Sequence, residues 1–389
     1  MATLGQLAGP QVGKGATVPN TVNQGQSAAS GSSAPIALVP FGKAAKRHIE
    51  QGETKGQSPW SLTVAAQQQF IIPSYGYLSA VYLSIAATGG AGVAATAGND
   101  SPWNVLQNLA LLDSNGTPII NLPGYSAYLA RLYGGYRLFR PDLSTFGFSA
   151  IANTGNFKNI YELFSEFSGH EGLGCLPNMD ASAAWKLQVT YNAQTAGTGP
   201  NNVYGVLPTT PPVLTAQLEI LARGKPGAVD AYGNSQETEP PAPGTIGYWT
   251  SQTFPVVNGN NNIILTRVGN FIRNQILVFR DATGIRSNAD STGVTPVSIV
   301  YNWDAGQRYV VNVQTLRQLA FELNGFDTPA GVVPLQNTVD PDGIPVNESG
   351  YEWMPTVGAS KLSLVFNSAA AGTLEIITND IVPGSGAQF

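Results

Sequence analysis

The chain has 389 residues, of which 43% are hydrophobic and only 11% charged, with 44 glycines, 27 prolines and a formal net charge of −5 at pH 7. The negative net charge argues against a general nucleic-acid-binding protein, and the single cysteine, Cys175, excludes an intrachain disulfide and a cysteine redox pair. No apolar run reaches the length of a transmembrane helix and no signal-peptide pattern opens the sequence, so secretion is not expected. Many short apolar runs between Gly and Pro residues indicate a β-rich protein of two or three domains.

The first 58 residues differ in composition from the rest of the chain. Residues 1–35 are mostly small and polar, and such a segment cannot form a core by itself. The first 58 residues hold five basic and two acidic side chains, a balance of +3, which leaves −8 for the remainder. A short helix with one basic face is predicted over residues 43–51. It is either a solvated terminal helix or a foot that contacts an anionic surface such as lipid head groups.

The next part of the chain is predicted to contain strands, tight turns and one short helix. The strand, turn and helix segments are Phe70–Ile72, Gly76, Leu78–Ile85, Leu109–Leu112, the turn Asp113–Gly116, Ile119–Ile120, and a helix over Tyr125–Tyr133 that ends at Gly134. Asn-Gly within the turn supplies the positive φ that a hairpin requires. A glycine directly after the last apolar residue is typical of a helix end.

The same order of elements returns in the second half. Its segments are Ile263–Leu265, Gly269, Phe271–Phe279, Val297–Tyr301, the turn Asp304–Gly306, Tyr309–Val311, and a helix over Val313–Leu323 that ends at Asn324-Gly325. Leu316, Leu319, Ala320 and Leu323 form one apolar stripe on this helix, which is expected to face a core. Trp60-Ser61 and Trp249-Thr250 are expected to open the two halves.

The ends of the two halves also correspond. Residues 184–198 and 359–373 match without a gap, and Leu-Glu-Ile follows both segments. Alternation predicts that two sets of three residues occupy equivalent buried positions, namely Leu187, Val189 and Tyr191 in the first half and Leu362, Leu364 and Phe366 in the second. The sequence therefore predicts two copies of one β-sandwich.

Residues that could perform chemistry are few. With only His48 and His170 available, a histidine metal cluster is excluded, and a Cys-His catalytic pair would need His170 and Cys175 within one glycine-rich loop. Glu162 and Glu166 could suggest a glycosidase pair, but strand alternation places both on a polar face. Asp340–Gly343 fits a type I turn better than a calcium loop. No catalytic, cofactor-binding or metal-binding residue is predicted, and the chain is not expected to be an enzyme.

These features resemble the double jelly-roll major capsid proteins of tailless, membrane-containing bacteriophages of the tectivirus-like kind. The resemblance covers residues 60–383 and the preceding arm. It rests on the strand pair from Phe70 to Ile85, on Tyr161–Phe167 followed by Lys186–Asn192, and on the helix end at Asn324-Gly325. It implies an all-β fold of two tandem jelly-roll sandwiches with a short helix in each. The expected domains are an arm (1–58), a first jelly roll (59–228), a linker rich in Pro and Gly (229–245), and a second jelly roll with the C-terminal tail (246–389).

The resemblance also implies a structural function. The expected assembly is a homotrimeric, pseudo-hexagonal capsomer that tiles an icosahedral shell around an internal membrane, assembled in the host cytoplasm and located in the virion. Expected partners are neighbouring capsomers, vertex (penton) and minor capsid proteins and the viral membrane, but not a specific nucleic-acid sequence. The candidate contacts with the membrane or a neighbouring capsomer are Lys43, Lys46 and Arg47. Deletion of residues 1–57 is expected to leave both sandwiches folded.

Two other functions share this β-rich pattern. A carbohydrate-binding, lectin-like double β-sandwich would have a shallow site with exposed Trp or Tyr side chains. A two-jelly-roll hydrolase, such as an amidase that removes glycans, would have clustered carboxylates in the groove between its sandwiches.

Overall fold

The structure is a computed structural model. It describes residues 37–39, 47–57, 66–92, 95–136, 148–167, 172–224, 229, 232, 236–238, 246–287, 293–303, 307–338 and 353–382. All of these except Ala37 belong to one compact unit, Leu38–Phe389.

Twenty-two strands and two α-helices make up the described part of the chain. The strands are β1 (Ala37–Val39), β2 (Arg47–Gln57), β3 (Ala66–Ile71), β4 (Tyr77–Thr88), β5 (Thr96–Ala97), β6 (Leu106–Leu112), β7 (Pro118–Leu122), β8 (Phe157–Phe164), β9 (Leu176–Pro177), β10 (Lys186–Tyr191), β11 (Tyr204–Val206), β12 (Val213–Arg223), β13 (Gln236–Thr238), β14 (Ile246–Val256), β15 (Gly259–Leu265), β16 (Phe271–Asp281), β17 (Ser298–Trp303), β18 (Gln307–Asn312), β19 (Val332–Gln336), β20 (Met354–Pro355), β21 (Leu362–Ser368) and β22 (Gly372–Val382). The helices are α1 (Gly124–Tyr133) and α2 (Val313–Asn324), and short 3-10 turns cover Trp103–Val105 and Ala181–Ala183.

Each half of the chain folds as a jelly roll of two four-stranded antiparallel sheets. The first half has the sheet orders β2-β12-β4-β8 and β3-β10-β6-β7, and the second has β14-β22-β16-β19 and β15-β21-β17-β18. The two pairs of orders are identical when each strand is replaced by its counterpart. Even the short strands correspond, since β9 extends the pairing of β4 and β20 extends that of β16. The predicted double jelly roll is therefore confirmed.

The equivalent strands β10 and β21 bury the side chains that alternation predicted to be buried. Leu187, Val189 and Tyr191 on β10 point into the first core, and Leu362, Leu364 and Phe366 on β21 point into the second. Strand alternation sends every second side chain to the same face, so the three-residue pattern of each strand fills its own sandwich.

Both predicted helices are present, with one correction on α2. Gly325 ends α2 in the left-handed conformation (φ 75°), and the Asn312 side chain accepts a hydrogen bond from the backbone N–H of Gln314 at the other end. Of the predicted apolar stripe, Leu316 and Ala320 are buried but Leu319 is exposed. The core of the second half contacts a narrower face of α2 than the sequence suggested.

The helix predicted over residues 43–51 is wrong for residues 47–51, which open strand β2. This strand pairs antiparallel with β12 from Arg47 to Gln57, so these residues, which the sequence assigned to the arm, form an edge strand of a first-half sheet. Pairing with β12 supplies the backbone hydrogen bonds that the strand requires, and this tertiary pairing overrides the local helix propensity of residues 47–51. A Cβ on Gly52 would lie 2.8 Å from Leu218 Cδ2, which indicates how closely the two strands approach. Because β2 is the counterpart of β14, Trp60 is not the counterpart of Trp249.

A single sheet connects the two halves. Strand β7 of the first half and β14 of the second pair in parallel, with Ile120 opposite Trp249 and Asn121 opposite Thr250. The resulting sheet runs β19-β16-β22-β14-β7-β6-β10-β3, and β20 also pairs with β16. The halves are thus joined by backbone hydrogen bonds as well as by side-chain packing.

Candidate assembly surfaces

The junction between the halves is centred on helix α1. This helix lies against β6 and β8 of the first half and β16 of the second. Eight of its ten residues are buried, including polar Ser126 and the full length of Leu129 and Tyr133. A helix that is apolar on nearly all sides needs cover on nearly all sides, and the second jelly roll supplies it.

Apolar side chains of the second half extend the core of the first half across the junction. Trp249, Ile276, Val278 and Ile377 belong to the same packed cluster as α1. Trp249 also donates a hydrogen bond from Nε1 to the Tyr136 hydroxyl at 2.6 Å, which satisfies its buried N–H.

An arginine inserted at a β-bulge connects the halves through aromatic rings. Arg273 is fully buried, and its guanidinium lies 4.9 Å from the Tyr136 ring centre and 5.6 Å from that of Phe167. Its Nη1 donates a hydrogen bond to Asn379 Oδ1 at 3.1 Å. Cation–π contacts of this kind strengthen when water is excluded.

A buried ionic cluster connects a first-half loop with the second half. Asp100 is fully buried and lies 2.6 Å from Arg280 Nη1 and 2.7 Å from Arg286 Nε. Arg286 also donates to the backbone oxygens of Ala330 and Asn99, and both guanidinium groups lie over the ring of Tyr125. Burial alone would lower the pKa of Arg286, but the Asp100 carboxylate, through its charge and its hydrogen bond, raises that pKa. Burial raises the pKa of Tyr125, so the ring stays neutral.

A cavity of about 310 Å³, lined by residues of both halves, lies beside this cluster. Its acidic residues, Asp100 and Glu375, both accept hydrogen bonds, the latter from the hydroxyls of Ser126 and Ser251. Asn104 also lines the cavity, and its buried Oδ1 has no hydrogen-bond partner among the described residues. Such a lining suits ordered water inside a permanent junction.

Two of the three basic residues predicted to contact a membrane or a neighbouring capsomer lie outside the described residues. Lys43 and Lys46 lie outside the described residues, and Arg47 begins β2, where its backbone lies opposite Arg223. Their role in membrane or capsomer contact stays a prediction.

The residues considered for catalysis have structural roles wherever they are described. Glu162 forms an ion pair with Arg131 at 2.9 Å, and Glu166 forms a buried ion pair with Arg223. Burial, with a contribution from the nearby Glu166 carboxylate, raises the pKa of Cys175 to about 12, so the group is a neutral thiol at pH 7. His170 and the turn at 340–343 lie outside the described residues. Within the described ranges, no group of three or more His, Cys, Asp or Glu side chains could hold a metal ion.

The four tryptophans whose side chains the structure describes do not provide the exposed platform that a lectin-like site would need. Trp103, Trp185, Trp249 and Trp353 are all buried. Among the described residues, neither helix is long and apolar enough to cross a membrane.

Sequence reasoning missed the ionic cluster at the junction. Asp100, Arg280 and Arg286 are far apart in the chain, and no spacing rule connects them. One signal was available, because Arg280 follows the apolar run at the end of β16, where a charge in a mostly uncharged chain needs a partner.

Comparison with known proteins gives likeness in structure alone. No protein-family model matches the chain, and no curated protein has a similar sequence. The major capsid protein of Sulfolobus turreted icosahedral virus superposes with a TM-score of 0.59 and 12% identity, covering 87% of this chain and 97% of that one. The major capsid protein of bacteriophage PM2 gives 0.52 and 10%, covering 88% and 100%, and the capsid of the virus PBCV-1 gives 0.57 and 12%, covering 87% and 93%. The chain therefore has the double jelly-roll fold of these viral major capsid proteins.

Proposed function

We propose that this chain is a structural subunit, the major capsid protein of an icosahedral virus, and not an enzyme. The observation that carries the proposal is the near-complete coverage of capsid proteins such as that of phage PM2 by a chain with the same two-sandwich fold. The ion pairs of Glu162 and Glu166 and the neutral thiol of Cys175 support a structural role over a catalytic one. The virion is the location that follows from this role, with assembly in the host cytoplasm.

The capsomer that we propose is a homotrimer with six sandwiches and a pseudo-hexagonal outline. Two sandwiches per chain, joined side by side by a continuous sheet, supply the repeating unit that such an outline requires. Trimers would contact neighbouring capsomers and, at the shell's vertices, penton and minor capsid proteins. Low charge and abundant small side chains suit a subunit with many permanent neighbours.

We further propose that the arm lies beneath the capsomer and contacts an internal membrane or a neighbouring capsomer through Lys43, Lys46 and Arg47. The support is electrostatic, since the first 58 residues carry a balance of +3 in a chain of net −5. Each basic residue near an anionic bilayer contributes about 1 kcal/mol, and a shell that presents the arm many times adds avidity.

The direct test is the molar mass of the purified full-length chain by light scattering, with electron microscopy of the same sample. A stable species near three times 40.8 kDa, or closed particles, is the expected result. A monomer that persists at high protein concentration and never assembles would contradict the capsid function.

A further inference from the structure

Helix α2 occupies the same place in the second jelly roll as α1 in the first, but it lacks a cover. Only three of its twelve residues are buried. Counted from the first residue of each helix, Leu319 and Phe321 correspond to Ala130 and Leu132. The α1 residues are 6% and 3% exposed, whereas Leu319 and Phe321 are 46% and 42% exposed. Two large apolar side chains thus face outward where their counterparts are enclosed.

The two strand edges that meet at the internal junction have counterparts that stay unpaired among the described residues. Inside the chain, β7 ends one first-half sheet and pairs with β14, the end strand of a second-half sheet. The counterpart of β7 is β18, at one end of the sheet β15-β21-β17-β18, and the counterpart of β14 is β2, at one end of β2-β12-β4-β8. The molecule therefore has, among the described residues, two unpaired edge strands, one on each half, that are the counterparts of the two strands that pair at the internal junction.

A shared β-bulge gives the register between β2 and β14. Ser79 is skipped where β4 pairs with β12, and Arg273 is skipped where β16 pairs with β22. Aligning the two bulges makes Leu221 of β12 the counterpart of Asn379 of β22.

That alignment identifies an exposed apolar residue at the centre of the free edge. Leu221 lies opposite Ile49, and Asn379 lies opposite Trp249. Ile49 is therefore the counterpart of Trp249, yet it is 66% exposed where Trp249 is 2% exposed. On the other edge, Tyr309 and Val310 precede α2 by the same intervals as Ile120 and Asn121 precede α1, and Val310 is 61% exposed.

We infer that β18 and α2 of one copy dock against β2 and the adjoining sheet face of a second copy of this chain, repeating the internal β7–β14 junction between chains. The strands would pair in parallel, with Tyr309 opposite Ile49 and Val310 opposite Glu50. The two surfaces differ, so the contact is heterologous and propagates around a ring. Three such contacts, alternating with three internal junctions, close six sandwiches, and in this respect the inference rests on the proposed trimer.

The register can be tested by disulfide formation between two variants of the full chain that each gain one cysteine, Glu50→Cys and Val310→Cys. Neighbouring strands lie about 4.8 Å apart, which is within the Cα separation that a disulfide spans. Upon oxidation the mixture of the two variants is expected to give a covalent dimer, while each variant alone stays unlinked. The double variant is expected to give covalent species of three chains.

The control is Val257→Cys, which places a similarly exposed cysteine in the turn between β14 and β15, and β15 is at the opposite end of its sheet from β18. Mixed with Glu50→Cys, it is expected to form no disulfide-linked dimer, and the native Cys175 is buried. Crosslinking of Glu50→Cys or Val310→Cys with itself would indicate a two-fold contact and overturn the inference. Native trimers that yield no 50–310 crosslink would overturn it too while leaving the capsid function intact, whereas an unassembled wild-type chain would count against that function.

A second experiment asks whether the outward face of α2 is covered upon assembly. Phe321→Glu is compared with Val357→Glu, a charge introduced at another exposed apolar position. Both variants are expected to keep the wild-type circular dichroism spectrum and Tm of the isolated chain. Only Phe321→Glu is expected to remain monomeric in light scattering, and normal trimers of this variant would contradict the inference.

Discussion

Helices α1 and α2 begin at the same point of the same fold, but one is enclosed and the other is covered on a single side. Their sequences differ accordingly. Residues 124–133 are almost entirely apolar or small, with Arg131 as the single charge, whereas α2 carries Arg317 and Glu322 and a narrower apolar face. A helix that is apolar all round is stable only when neighbours cover it, and in α1 that neighbour is the second jelly roll.

The same difference separates the two strand edges. The edge that pairs inside the chain is flanked by Trp249, the Asp100 cluster and Arg273, all buried. The corresponding edge of β2 presents Ile49 and Glu50 to solvent or a second copy. A fold repeated within one chain can thus expose, in one copy, the surface that its other copy uses internally.

The largest expected effect comes from placing a charge in the apolar core that each half contains. Leu364→Asp places an unpaired charge in the second core and is expected to cost about 5 kcal/mol, a large part of the stability of a typical domain. Leu187→Asp should do the same in the first core, because both positions are fully buried on equivalent strands. Chemical denaturation and trimer formation measure both effects.

The matched control is Val365→Asp, one residue away and on the opposite, partly exposed face of β21. It is expected to be far milder than Leu364→Asp. Soluble, fully trimeric Leu364→Asp would contradict the assignment of this strand to the core.

The next largest expected effect is the loss of stability when an ion pair at the internal junction is broken, compared with the loss when a surface pair is broken. Asp100→Asn leaves the guanidinium groups of buried Arg280 and mostly buried Arg286 without their shared carboxylate and is expected to destabilise the chain by about 3–5 kcal/mol. Glu53→Gln, which breaks an exposed pair with Lys55, should cost at most about 1 kcal/mol. Equal shifts in thermal unfolding for both variants would mean that the cluster does not hold the halves together.

A smaller effect compares the helices directly. Leu132→Ala empties a buried site in α1 and is expected to cost about 2–4 kcal/mol. Phe321→Ala, at the matching position of α2, should change monomer stability by about 0.5 kcal/mol, because the ring is already partly in water. Urea denaturation of the dissociated chains provides the measurement. Similar losses in both variants would erase the contrast between the helices.

The smallest expected effect on stability concerns the arm. Changing Lys43, Lys46 and Arg47 together to Ser should leave Tm nearly unchanged but reduce co-sedimentation of assembled capsomers with anionic vesicles, and added salt should weaken wild-type binding. Lys14→Ser, a basic residue earlier in the arm, serves as the comparison. Equal binding by the triple variant and wild type at low salt would leave the arm as a contact between capsomers.

Sequence reasoning succeeded where local rules act alone. Both helices were predicted because an apolar stripe ends at a glycine, and the hairpin β6–β7 was predicted because Asn115-Gly116 supplies the positive φ of its turn. It failed for residues 47–51, where a helix with one basic face was predicted and pairing with β12 produced a strand. Deletion of residues 1–57 would therefore remove an edge strand of the first jelly roll, and a deletion that spares the fold should end before residue 47.

The sequence by itself determined the repeated order of strands, the two short helices and the buried faces of β10 and β21, because alternation, helical spacing and glycine turns depend on near neighbours in the chain. The tertiary structure alone decided that β7 pairs with β14, that Asp100 meets Arg280 and Arg286, and that α1 is enclosed while α2 is not. These contacts join residues more than a hundred positions apart. Such partners are selected by shape and charge in three dimensions, and no periodic pattern of neighbouring residues in the sequence predicts them.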